Sequence, residues 1–161
     1  MTSKKGTEHT IQLKGEGVLP APLNRTAIWE ALKFVLLNRP QFLPGCESSD
    51  TIDVKKDGNN ETYRVEIVHT SGPKFIEEIL FSPFDSATVI IEASKDYEKL
   101  ELKIMIEEVP DGEFQLRFSY CGGPREGQLP EQYLSLVHAA WKAKDEEIVT
   151  GILQVLDHPR T

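Results

Sequence analysis

The sequence predicts an α+β fold in one domain: a seven-stranded antiparallel sheet with one covered face, and a long C-terminal helix to cover it. Three observations carry this prediction. From Ser48 to Tyr120 apolar and polar residues alternate at period two, the spacing that sends successive side chains to opposite faces of a sheet. Turn-forming groups interrupt the alternation at Asp57-Gly58-Asn59-Asn60, Ser71-Gly72-Pro73, Ser82-Pro83, Lys95-Asp96 and Pro110-Asp111-Gly112. After Pro130, a residue suited to the first position of a helix, the period becomes helical and holds to about Leu156. A length of 161 residues fits one domain able to bury a core without disulfides or metals.

The elements follow in order. Met1 to Glu8 is polar and is expected to be a disordered lead-in, with the domain over residues 9–157 and a tail at 158–161. His9 to Leu19 alternates, with Ile11, Leu13, Gly15, Gly17 and Leu19 on one side, and reads as a half-buried first strand. Asn24 is an N-cap for a helix in which Ile28, Trp29, Leu32, Val35 and Leu36 share a face. Pro40, Pro44 and Gly45 end it, leaving one short helical turn.

Six further strands should point these residues inward: Ile52 and Val54; Tyr63, Val65, Ile67 and His69; Phe75, Glu77, Ile79 and Phe81; Val89, Ile91 and Ala93; Leu100, Leu102, Ile104 and Ile106; Phe114, Leu116, Phe118 and Tyr120. Their neighbours, among them Arg64, Glu66, Glu101, Lys103 and Arg117, face water. The last helix, roughly 26 residues at about 1.5 Å each, is about 39 Å long and can cross the sheet. Tyr133, Leu134, Val137, Ala140, Trp141, Ile148, Ile152 and Val155 fall on one face of it, with Lys144 near the centre.

A net charge of −8 and a pI near 5.0 argue against nucleic acid and anionic membrane surfaces as partners. No run of about 18 apolar residues is present, so no membrane span is expected. Cys46 and Cys121 lack disulfide-framework or zinc spacing and read as reduced thiols in a cytoplasmic protein. No metal and no cofactor are expected, and the chain is expected to be a monomer or a homodimer.

The stretch Pro73 to Phe81, PKFIEEILF, sets two carboxylates inside an apolar strand. Parity puts Glu77 with Phe75, Ile79 and Phe81, and Glu78 on the wet side. A lone buried carboxylate costs several kcal/mol, so Glu77 needs a partner, a proton or surrounding water. An acid in an apolar pocket is a usual source of a general acid or base, and Glu77 is a candidate for that role. The competing interpretation is an ion pair with a lysine or arginine, Lys144 being an attractive partner. Lys144 itself either snorkels to water or, with a lowered pKa, condenses with a carbonyl. His69 is a candidate proton shuttle, or a solvent-facing residue beside a turn. Tyr63, Phe75, Phe118, Tyr120, Tyr133 and Trp141 are either core or the walls of a pocket for a flat organic ligand.

The phrases RTAIWEALKFVLLNRPQFLPGCES, FIEEILFSPFDSATV, FQLRFSY and EQYLSLVHAAWKAKDEEIV resemble the AtaL-like family. That family belongs to the helix-grip superfamily, known as SRPBCC, of the birch pollen allergen and START domains. The resemblance spans about Ile11 to Leu156 and implies a curved sheet wrapped around the long helix, with a cavity for an apolar small molecule between them. Members include carriers and hormone receptors, and also cyclases acting on polyketide or alkaloid skeletons. The function implied is binding of an apolar molecule and guidance of its cyclisation, dehydration or rearrangement in specialised metabolism, by a cofactor-independent cyclase, isomerase or lyase. The alternatives are a non-catalytic carrier or sensor and, more remotely, an adaptor binding a protein through the loop at residues 121–128.

Overall fold

The computed structural model describes residues 7–13, 23–72, 74–93, 97–110, 113–124 and 131–157. Seven strands form one antiparallel sheet: β1 (Thr7–Gln12), β2 (Cys46–Asp57), β3 (Asn60–His69), β4 (Lys74–Ser82), β5 (Ser86–Ile91), β6 (Tyr97–Val109) and β7 (Glu113–Pro124). Their order across the sheet is β1-β7-β6-β5-β4-β3-β2, so the meander from β2 to β7 returns to pair with the first strand. Helix α1 (Arg25–Leu37) and a 3-10 turn (Arg39–Gln41) lie between β1 and β2, and α2 (Glu131–Asp157) closes the chain.

Local chemistry accounts for most boundaries. Asn24 caps α1 by accepting the Ala27 N–H at 2.8 Å. The β2–β3 hairpin turns through Gly58, whose φ of +63° lies in the left-handed region that a Cβ disfavours. Period two gives the buried inner face, including Val65, Ile67, Ile79, Phe81, Leu102, Ile104, Leu116 and Phe118. Ile28, Leu32, Val35 and Leu36 of α1 and Ile148 and Ile152 of α2 complete the core. Trp29 anchors α1 on the sheet by donating its indole N–H to the Ser86 carbonyl at 3.2 Å.

Several expectations need correction. Ile52 and Val54 are 54% and 41% exposed, because β2 is an edge strand and a register shift between Thr51 and Asp53 interrupts its alternation. Ala93 lies beyond the end of β5 and is exposed. The first strand starts at Thr7, inside the expected lead-in, and Gly15, Gly17 and Leu19 lie outside the described residues. So do residues 158–161 and the second half of the loop proposed as an adaptor surface, residues 125–128, while β7 runs on to Pro124. The first half of α2 is more open than its periodicity suggests, with Tyr133 52% and Leu136 65% exposed. Among the described residues no helix is long and apolar enough to cross a membrane.

On the outer face Arg117 of β7 ties two strands together. Its Nε donates to Glu107 of β6 at 2.9 Å and its Nη1 to Glu8 of β1, while the Ser119 hydroxyl donates to the other oxygen of Glu8 at 2.9 Å. Hydrogen bonds from Ser119 and Arg117 hold Glu8 below its ordinary carboxylate range, and those from Arg117 and Gln115 do the same for Glu107. Stability from a lowered carboxylate is present above the unfolded value and lost as pH falls through the folded one. Arg117→Gln is therefore expected to speed amide exchange in β1 at neutral pH and to flatten the loss of stability on acidification. Because these groups are at least partly exposed, added salt should mimic part of the change. Unaltered β1 exchange would show that the ion pairs do not hold the strand.

Candidate ligand cavity

A cavity of about 520 Å³ lies between the inner face of the sheet and α2, within the range of about 300–1,000 Å³ typical of small-molecule sites. Ile67, Val89, Leu100 and Leu102 of the sheet and Leu36 and Leu43 from the α1 side form its apolar walls. Ala140, Trp141, Ala143, Lys144, Glu147 and Ile148 face it from α2. Three features lie in these walls or directly behind them.

The first is an ion pair. Arg39, in the turn after α1, grips Glu77 of β4 through two parallel hydrogen bonds, Nη1 to Oε2 at 3.0 Å and Nη2 to Oε1 at 2.5 Å. Arg39 and Glu77 are 8% and 4% exposed, and the Arg39 Nε also donates to the Leu36 carbonyl at 3.2 Å. Glu77 thus faces inward as parity requires, and β4 pairs with both neighbours without a register shift. Its partner is Arg39 and not Lys144, because the turn after α1 brings the guanidinium directly over β4. A guanidinium fork matches the two oxygens of a carboxylate, and both oxygens of Glu77 are engaged.

The second is a buried acid. Asp145 of α2 has no exposed surface, and the Tyr120 hydroxyl of β7 lies 2.7 and 2.6 Å from its two oxygens. His9 Nε2 of β1 sits 2.9 Å from Asp145 Oδ2, yet out of line for a hydrogen bond. Burial pushes the Asp145 carboxyl up, against the pull of Lys144, Tyr120 and His9. Burial and the adjoining carboxylate push the Tyr120 phenol up as well.

The third is an aromatic wall. Trp141 lies flat on Tyr120, with ring centroids 4.5 Å apart and planes 3° from parallel. Gly123 makes room for it, since a Cβ there would stand 3.0 Å from the indole, and its φ of +112° again suits glycine. The Lys144 ammonium lies 5.2 Å above the same tyrosine ring and 3.8 Å from Asp145 Oδ1.

No protein-family model matches the sequence, and no curated protein does. Solved structures do match. Ara h 8.0201 superposes with a TM-score of 0.62 at 18% identity, covering 94% of this chain and 97% of that one. TTHA0849 from Thermus thermophilus gives 0.63 at 15%, again covering 94% and 97%. The Zhui aromatase/cyclase from Streptomyces sp. R1128 gives 0.62 at 13%, covering 93% and 92%. The chain has the helix-grip fold.

Within this helix-grip fold, His69, Phe75, Glu77, Tyr120, Trp141 and Lys144 line the cavity. His69 and Phe75 meet edge to face at 5.3 Å, and Phe75 keeps 41% exposure. Three expected wall residues lie elsewhere. Phe118 is fully buried in the core, where His9 stacks on it at 5.5 Å. Tyr63 packs against Phe81 and under the Lys33 ammonium, which pairs with Glu61 at 2.5 Å. Tyr133 sits on the exposed half of α2.

Sequence reasoning missed Arg39, Asp145 and His9. Asp145 left a signal, because it falls four residues after Trp141 and three before Ile148, on the buried side of the helix. Arg39 left none, since it follows the end of α1 and reads as loop. His9 falls in the inward series of β1, but nothing local marks its contact with a helix more than a hundred residues away.

Proposed function

We propose that the helix-grip cavity binds an apolar, flat small molecule with a polar group at one end, and that the protein guides its cyclisation, dehydration or rearrangement in cytoplasmic specialised metabolism. The observation that carries the binding part is the cavity itself, roofed by the Tyr120–Trp141 stack and polar at Arg39–Glu77 and Lys144. A flat ring slides onto that stack, while the buried charges orient its polar end. The catalytic part draws support from the shared fold of the Zhui aromatase/cyclase and from the phrases that resemble AtaL-like proteins. In this reading Glu77 and His69 supply proton transfer at the polar end, and Phe75, Tyr120 and Trp141 hold the skeleton.

A carrier or sensor without chemistry is the second reading. The observation favouring it is the engagement of both Glu77 oxygens by Arg39, which suits a structural carboxylate better than a proton donor.

Ala143 lines the cavity from an exposed position on α2, so enlarging it obstructs the cavity without disturbing the core. Ala143→Phe is expected to weaken binding of the fluorescent probe 1-anilinonaphthalene-8-sulfonate roughly tenfold or more, the scale of about 1.4 kcal/mol, with Tm unchanged. Equal probe affinity in both proteins would remove the cavity as the site. To separate the two functional readings, a compound retained by the protein from a cell extract is identified by native mass spectrometry and then incubated with fresh protein. Release unchanged supports the carrier, and release as a cyclised or dehydrated product supports the enzyme.

A further inference from the structure

Among the described residues Lys144 is the lysine that lines the cavity, and its ion pair with Asp145 is a loose one. Its contact with Asp145 is 3.8 Å, too long for a hydrogen bond. Both oxygens of Asp145 are already within 2.7 Å of the Tyr120 hydroxyl, and both oxygens of Glu77 are held by Arg39. Asp145 and Glu77 are therefore committed to other partners. Although protein surrounds the side chain, 36% of its surface stays open because it borders the cavity, so a bound molecule can reach Nζ.

We infer that Lys144 captures a carbonyl: an aldehyde or ketone on an apolar body enters the cavity and condenses with Nζ to give an iminium. This inference rests on the proposed binding function of the cavity and adds the chemical class of its ligand. The Nζ lone pair forms a C–N bond to the carbonyl carbon while the C=O π electrons move to oxygen, which receives the proton lost from nitrogen. The resulting hydroxyl takes a further proton from solvent and leaves as water, and the nitrogen lone pair completes the C=N bond. One water is released, and nothing is oxidised or reduced.

The step needs an unprotonated amine. Desolvation by the apolar walls holds Lys144 below the ordinary lysine range, with the Arg39 charge adding to the effect and Asp145 and Glu77 opposing it. The other titratable groups around the cavity are Tyr120, His69 and Cys46 on its wall and Glu147 one turn along α2, with His9 behind Asp145. The Tyr120–Trp141 stack supplies a flat surface for an aromatic body beside the nitrogen.

The test uses 2-naphthaldehyde with the intact protein near neutral pH, reduction by cyanoborohydride, and peptide mass spectrometry. The naphthylmethyl adduct is expected at Lys144 roughly tenfold or more above Lys142, an exposed lysine on the same helix, because binding holds amine and carbonyl together. 2-Methylnaphthalene, with the same body and no carbonyl, should suppress labelling of Lys144 and leave Lys142 unchanged. Labelling of Lys144 should also persist to lower pH than that of Lys142. Equal labelling of the two lysines overturns the inference. Saturable quenching of tryptophan fluorescence by the aldehyde without an adduct at Lys144 overturns it while leaving the cavity as a binding site, and absence of both quenching and adduct removes both.

Discussion

Glu77→Gln is expected to lower the folding stability by about 3–5 kcal/mol, the scale of loss when one partner of a buried ion pair is removed. The amide can offer one acceptor where the carboxylate offered two, and its NH2 group turns toward the guanidinium donors. Arg39, 8% exposed and fixed to the Leu36 carbonyl, cannot withdraw to water without unwinding the turn after α1. Urea denaturation measures the loss directly. The double variant Arg39→Met with Glu77→Leu should recover most of it, because a packed apolar pair often equals a buried ion pair in stability, and the two single changes will then be far from additive. A loss below about 1 kcal/mol for Glu77→Gln would mean that cavity water solvates the pair as at a surface. The double variant also separates structure from chemistry. If it folds and binds probe but has lost turnover, the pair acts on the ligand; if turnover survives, the pair is structural.

The second large effect is expected at Asp145. Its carboxyl is pushed up from 3.8 by burial, so its contribution to stability is complete below about pH 3.8 and is lost as pH rises through the folded value. The unfolded chain releases this proton first, and each increase in pH across that window favours unfolding. Asp145→Asn removes the titration and keeps an oxygen to accept the Tyr120 hydroxyl, so it should gain stability relative to the parent as pH rises from about 4 toward neutrality. Comparing the two proteins at each pH cancels the opposite trend from Glu8 and Glu107. Asp145→Leu should cost about 1–3 kcal/mol, since it leaves the buried Tyr120 hydroxyl without an acceptor. A parent protein that gains stability relative to Asp145→Asn with rising pH would show that Tyr120, His9 and Lys144 outweigh the burial of the charge.

Parity made much of this fold legible. Phe75, Glu77, Ile79 and Phe81 alternate with Lys74, Ile76, Glu78 and Leu80, and because strands invert at every residue that pattern alone assigns Glu77 to the inner face. The same logic served β3, β6 and β7, where the inner residues from Val65 to Tyr120 fall as their alternation requires. It failed at Ile52 and Val54, where the register shift in β2 breaks period two and the sheet edge leaves the inner face uncovered. It also failed for Tyr133, because helical periodicity gives the direction of a side chain and says nothing of whether a neighbour lies beneath it.

The order of elements, the face of nearly every strand residue and the inward direction of Glu77 follow from the amino-acid order, because they obey steric rules acting between adjacent residues. It took the folded packing to settle that Glu77 meets Arg39, that Asp145 meets Tyr120 and His9, and that Lys144 faces the cavity with its contact to Asp145 stretched to 3.8 Å. Those pairings join residues 38, 25 and over a hundred positions apart. Electrostatic attraction selects among many possible partners by distance and burial, and both quantities exist only once the sheet has closed over the helix.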